Sequence, residues 1–254
     1  HVPLAPTDFY RTHLVELHQQ LLASPITRTY LTGTGIRLDG EELRHDDLCE
    51  LPVGEISAVE FSHLLSVFDG SRVHEQVERT FSPDQAPPGL YFTIVNPKLI
   101  QHPNKNRLGF YASNDGTDLF IDGLHIDQYF LHEHHAPPAL GTVAFALCAI
   151  TAHLAGLSHV SLVAAGGRGF ANHHIGYKVW PKLGFNAPLL PHEVARAPHL
   201  THCQSVQDVL STDADWWNQN GSQRIMMFDL TAFSASWEKL ISYVDRKLSD
   251  GRLP

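Results

Sequence analysis

The run Ser158-His159-Val160-Ser161-Leu162-Val163-Ala164-Ala165 constrains the fold most, because it is apolar through its centre and follows directly on a helical stretch. A strand with one wet face alternates polar and apolar residues. One that is apolar at its centre is buried on both faces and lies parallel to a neighbour. Parallel neighbours need a crossover, usually a helix, and the helical pattern from about Gly141 to Ala155 supplies one.

The surrounding segments extend this unit. Leu90–Val95 reads as a strand stopped by Asn96-Pro97, and Arg107–Ala112 as a second. Asn114-Asp115-Gly116-Thr117 is a tight turn with an Asp-Gly hairpin signal. It feeds a third strand, Asp118–Asp127, antiparallel to the second, and an irregular loop runs on to Ala139. After the apolar strand come a glycine-rich loop (Gly166–Gly169), a short helix over about Asn172–Leu183 and an extended piece from Gly184-Phe185. Gln223–Leu230 reads as a late strand, and Ser234–Leu248 as a closing helix. The expected class is α/β of the α+β kind, with a mixed central sheet flanked by helices.

Residues 1–88 read differently. Thr7–Ser24 has helical spacing of Phe9, Leu14, Leu17, Leu21 and Leu22 behind a Thr7 or Asp8 cap. Thr32–Gly35 is a turn, and Gly54–Glu78 reads as one or two helices broken at Asp69-Gly70. The Pro- and Gly-rich run Ser82–Gly89 is a hard stop. It separates an N-terminal helical segment, 1–88, from a core, 89–254. The helical segment is expected to cover the sheet or to shape a substrate pocket.

Composition narrows the function. The formal net charge is −9 with neutral histidines and there is no basic stripe, so no nucleic-acid partner is expected. The longest apolar run, Leu140–Leu157, is interrupted by Gly141, Thr142, Thr151, His153 and Gly156, so no membrane span is expected. The first residues carry neither a basic nor an apolar leader region. Cys49, Cys148 and Cys203 form neither a metal pattern nor a disulfide framework, which favours a reducing, cytoplasmic setting.

The helix start at Leu140-Gly141-Thr142-Val143 is the chemical focus. Its first backbone N–H groups lack intrahelical partners and sit at the positive end of the dipole, which suits a pyrophosphate. Glycine there lets a phosphate approach the main chain.

With that loop-to-helix step, the strand Val160–Ala165 and the ending Gly176-Tyr177-Lys178-Val179-Trp180-Pro181-Lys182-Leu183-Gly184-Phe185, residues 89–186 resemble the GNAT (Gcn5-related N-acetyltransferase) superfamily. In the family's phosphate loop the matching position is Gly141; Ala136 and Ala139 replace its Arg/Gln and first glycine. The resemblance implies transfer of an acetyl or other acyl group from acetyl-CoA or another acyl-CoA to an amine on a small molecule, peptide or protein. It implies a base near the end of the third strand, among Asp122, His125, Asp127 and Glu133. His125 and Asp127 alternate with Ile126, so on a regular strand they share a face. It also implies main-chain contacts to the thioester near Ile126–Gln128, with Ile126, Gln128, Leu140, Gly141, Thr142, Val143, Asn172 and Trp180 around the coenzyme. Trp180 stands where many members carry a tyrosine that protonates the leaving thiolate, and Tyr177 one turn earlier is the substitute.

Two rival readings come from the same residues. His125-x-Asp127, His132-Glu133-His134-His135 and His173-His174, in a chain with 18 histidines, suggest a metal-dependent enzyme. Trp216-Trp217-Asn218-Gln219-Asn220-Gly221 suggests either a recognition surface on an inactive binding module or a tryptophan pair covering the core edge.

Overall fold

The computed structural model describes residues 4–113 and 120–250. The hairpin turn expected at Asn114–Thr117 lies outside them.

A π-helical turn over Tyr10–Leu14 leads into α1 (Val15–Ala23), and the Ser24 side chain caps α2 (Pro25–Tyr30). Short strands β1 (Arg37–Leu38) and β2 (Glu41–Glu42) follow, then the hairpin β3 (Leu48–Leu51) and β4 (Gly54–Ser57). Ser57 and Glu60 form a capping box that starts α3 (Ala58–Leu64). β5 (Arg72–Glu78) completes this half.

The expectation of helix throughout Gly54–Glu78 is therefore corrected. Only its middle is helical, and Arg72–Glu78 pairs antiparallel along its whole length with the next strand, from Arg72↔Val95 to Glu78↔Gly89. The segment 1–88 is not a purely helical cover: β1, β2 and β5 belong to the main sheet.

The second half follows the sequence closely. β6 (Gly89–Val95), β7 (Asn106–Tyr111) and β8 (Gly123–Gln128) form an antiparallel meander. β8 is shorter than the expected strand, because residues 120–122 precede it as loop. α4 (Leu140–Leu154) crosses to β9 (His159–Gly167), which is parallel to β8. α5 (Gly176–Lys182) begins later than expected, at Gly176 rather than Asn172. α6 (Val206–Asn220), β10 (Ser222–Asp229) and α7 (Ala235–Ser249) end the described chain.

The main sheet has eight strands in the order β10-β9-β8-β7-β6-β5-β1-β2, antiparallel except at β8/β9 and β1/β5. The architecture is mixed α/β, as expected. Among the described residues no helix is long and apolar enough to cross a membrane.

The register divides the central strands into two kinds of row. Phe110, Leu124, Val160 and Phe228 are cross-strand neighbours, all fully buried. Phe145 of α4 and Trp237 of α7 pack on Phe228, with ring centroids 5.6 and 5.1 Å away. One residue along, the neighbours are Gly109, His125, Ser161 and Met227. Side chains alternate across a sheet, so one face is an apolar core and the other carries polar groups.

Candidate functional site

β8 and β9 are paired only from Gly123↔His159 to Ile126↔Leu162. Beyond Ile126 they part, and a cavity of about 590 Å³ opens between them. Its walls come from the free end of β8 (Ile126, Asp127, Gln128), from β9 (Leu162, Val163, Ala165), and from the start of α4 (Gly141, Thr142). α5 closes it with Val179 and Trp180.

The opening has local causes. Between Ile126, opposite Leu108, and Gln128, opposite Arg107, Asp127 is an extra residue, a β-bulge. The bulge interrupts the strict alternation that places His125 and Asp127 on one face. On the other wall Gly166, at φ 101°, approaches the 171–175 loop so closely that a Cβ would lie 1.7 Å from the His174 carbonyl oxygen. Only glycine allows that approach, which brings His173 and His174 to the cavity.

The α4 start points into this space. Ala139, left-handed at φ 69°, turns the chain into the helix without a side-chain cap. Leu140 N and Val143 N bond to Pro137 O and Ala139 O, while the amides of Gly141 and Thr142 have no partner among the described residues. The Leu140 and Val143 side chains are buried in the core, so their part in a site is confined to the main chain. A Cβ on Gly141 would meet only the end of the Leu131 side chain, at 3.2 Å.

The opposite wall is acidic. Asp127 Oδ2 accepts from Arg107 at 2.9 Å, and Arg107 also bonds Glu78 at 2.6 Å and lies 4.2 Å above the Tyr91 ring. Asp127 Oδ1 is buried with no partner among the described residues, and its side chain is only 6% exposed. Burial raises the Asp127 pKa, against the pull of Arg107; Asp84, which also lines the cavity, adds to the rise.

The remaining expected residues are dispersed. His125 is buried behind the strand, bonded through Nδ1 to Ser161 Oγ at 2.8 Å, and does not line the cavity. Burial and then Arg107 hold it neutral, its pKa down at about 4. Asp122 sits at the far end of β8, where both carboxylate oxygens accept from Ser113. Burial there is outweighed by those bonds, and its pKa is lowered. Glu133 and Asn172 are exposed and do not line the cavity.

Tyr177, expected beside a leaving thiolate, is corrected in place: its hydroxyl donates to Asn218 O at 2.8 Å, beside Trp217 of α6. It packs at the α5–α6 contact, while Trp180 lines the cavity and stacks edge-on against Tyr129 at 5.8 Å.

The chain matches no protein-family model, no curated protein and no solved structure.

The histidines do not gather. Among the described residues no three His, Cys, Asp or Glu side chains converge as metal ligands. His132 and His135 stack at 4.0 Å, and His132 Nδ1 accepts from the His134 and His135 amides, so this tract folds on itself. Trp217 is fully buried, donates to Tyr177 O and lies under Arg224, which makes it a core residue and not a recognition surface.

The sequence did not reveal Tyr129, Asp84 or the 173–175 loop as cavity walls. Tyr129 is an aromatic immediately after the strand end, the one local signal among them.

Proposed function

We propose that this protein is an acyltransferase of the GNAT type, taking an acyl group from acetyl-CoA or a longer acyl-CoA to an amine. The observation that carries the reading is the cavity between parted parallel strands, with two unpartnered amides, Gly141 and Thr142, at one wall and an unpartnered carboxylate oxygen of Asp127 at another.

The residues fit an acyl-CoA in kind. Free N–H groups at the positive end of a 15-residue helix suit a diphosphate. Apolar walls from Ile126, Leu162, Val179 and Trp180 suit a pantetheine arm and an acyl chain. The thioester supplies the activated acyl group. The chain itself orients the acceptor: Asp127, paired with Arg107 on one oxygen, and Asp84 favour an ammonium-bearing small molecule, peptide or protein at the acidic wall. Ile126, Asp127 and Gln128 line the cavity, which supports their main chain as the group that would hold the thioester carbonyl oxygen. The three cysteines are unpaired and buried, which agrees with a reducing, cytoplasmic setting.

The test is thermal unfolding with acetyl-, propionyl-, malonyl- and long-chain CoA. Ligand at 100-fold its dissociation constant stabilises by about 2.7 kcal/mol. A rise with at least one acyl-CoA and none with adenosine alone is expected; an unmoved midpoint across the series would remove the proposal.

A further inference from the structure

Exposed apolar side chains collect on one wall of the cavity between β8 and β9. Ile175, Val179 and Leu183 line it at i, i+4 and i+8, so they share one side of α5. Ile175 is 52% exposed and Val179 39%. Phe130, 38% exposed, lines the same cavity from the segment after β8. Large apolar side chains left in water along a cavity wall form a surface that a ligand covers.

The charge in this space has one sign. Asp84 lines the cavity, is exposed, and has no hydrogen bond or ion pair among the described residues. It is near enough to Asp127 to help raise the pKa of that carboxyl. Arg107 is already divided between Asp127 and Glu78. Among the described residues no lysine or arginine lines the cavity. Three carboxylates therefore stand with one guanidinium, and the buried Oδ1 of Asp127 has no partner among the described residues. A buried carboxylate short of partners is costly, and a cation brought beside it offsets that cost.

An apolar wall and an uncompensated acidic pair in one space select among ligands. A fatty acid covers the α5 stripe but sets its carboxylate against Asp84. A small hydrophilic cation answers the charge and leaves the stripe wet. An amino acid carries a carboxylate beside its ammonium, so one end is always repelled.

We propose that the cavity binds a primary amine with an apolar body and no carboxylate, its ammonium at Asp84 with Asp127 behind, and its hydrocarbon along Ile175, Val179 and Phe130. The ammonium donates to the Asp84 carboxylate, and its charge favours the ionised form of Asp127 that burial alone disfavours. The role of this amine as acyl acceptor rests on the acyl-transfer reading; its binding does not.

Isothermal titration of the full chain at pH 8, with no acyl-CoA present, tests the site. Octylamine is expected to bind, and affinity should rise about fourfold for each methylene added from butylamine to octylamine. Octanoate and 2-aminooctanoate should each bind about tenfold more weakly than octylamine. Asp84→Asn, at an exposed position, should weaken octylamine and narrow its lead over octanoate. Val179→Ser should weaken octylamine and leave that lead intact. No binding of octylamine, equal binding of octanoate, an affinity that ignores chain length, or a lead unmoved by Asp84→Asn would overturn the proposal. Octylamine binding without acyl-CoA protection would keep the amine site and remove acyl transfer, and acyl-CoA protection without octylamine binding would do the reverse.

Discussion

Two adjacent rows of the same four strands have opposite chemistry. The row Phe110–Leu124–Val160–Phe228 is apolar and lies under helices, whereas Gly109–His125–Ser161–Met227 holds two hydrogen-bonding side chains and one half-exposed methionine. The first row is the kind of surface that stabilises a fold by exclusion of water. The second orders polar groups that gain little net stability and cost much if left unpaired. The comparison teaches that stability and chemistry are divided between faces in the middle of this sheet, and meet only where β8 and β9 part.

The largest effect expected from this division is on the apolar row. Phe228→Ala removes a ring that touches Phe145, Phe185 and Trp237 and leaves a cavity between three elements. The cost is about 3–5 kcal/mol, measured by denaturant unfolding. Ser161→Ala in the polar row takes a partner from the buried Tyr111 hydroxyl and His125 Nδ1, and should cost less, about 1–3 kcal/mol. Equal losses at the two positions would break the comparison.

The next effect is a pH dependence on the polar row. The folded pKa of His125 is depressed from 6.5 to about 4 by burial and by Arg107; Tyr111 and Ser161 also face it, and Asp127 follows it on β8. A depressed histidine binds fewer protons folded than unfolded, so its contribution is complete above about pH 6.5 and is lost as pH falls toward 4. At about 1.4 kcal/mol per pH unit, the loss is on the order of 3 kcal/mol by the lower limit. His18, lowered to about 4 by burial and His63, adds to the same window. His125→Gln should remove part of the acid sensitivity between pH 7 and 5; a variant as acid-sensitive as the parent would show that His125 is charged when folded.

How much of this was legible follows from where the information lies. β6, β9, β10, α4 and α7 were readable because burial imposes a period that a few residues reveal. β5 was not, since only Val73 of its seven residues is buried and its strand character comes from pairing with β6. α6 was hidden by the Asn218–Gly221 run, although Ser205-Val206-Gln207-Asp208 is a capping box that announces it. The helix start at Gly141 was readable from local sequence. The acidic wall was not, because Asp84, Glu78, Arg107 and Asp127 come from separate segments that only the sheet brings together.

Gly141→Asp probes the junction between the two regimes. Its side chain would meet only the flexible end of Leu131, so the unliganded protein should unfold within about 0.5 kcal/mol of the parent. The carboxylate would stand against a bound diphosphate, and the stabilisation by acyl-CoA, about 2.7 kcal/mol at 100-fold excess over the dissociation constant, should vanish. Retained protection would take the α4 start out of the binding site.

The smallest effect concerns a residue that packs against α6 and does not line the cavity. Tyr177→Phe deletes the bond to Asn218 O and leaves the ring beside Trp217. One neutral hydrogen bond is worth about 1 kcal/mol, and the loss should appear in unfolding with no change in acyl-CoA protection or in the pH profile of CoA release. Trp180→Phe supplies the contrast, since Trp180 lines the cavity and packs on Tyr129 and Phe145. Weaker acyl-CoA protection in Trp180→Phe and full protection in Tyr177→Phe is the expected pair. The opposite pair would mean that α5 presents its other side to the ligand, and that the thiolate acid belongs at Tyr177 after all.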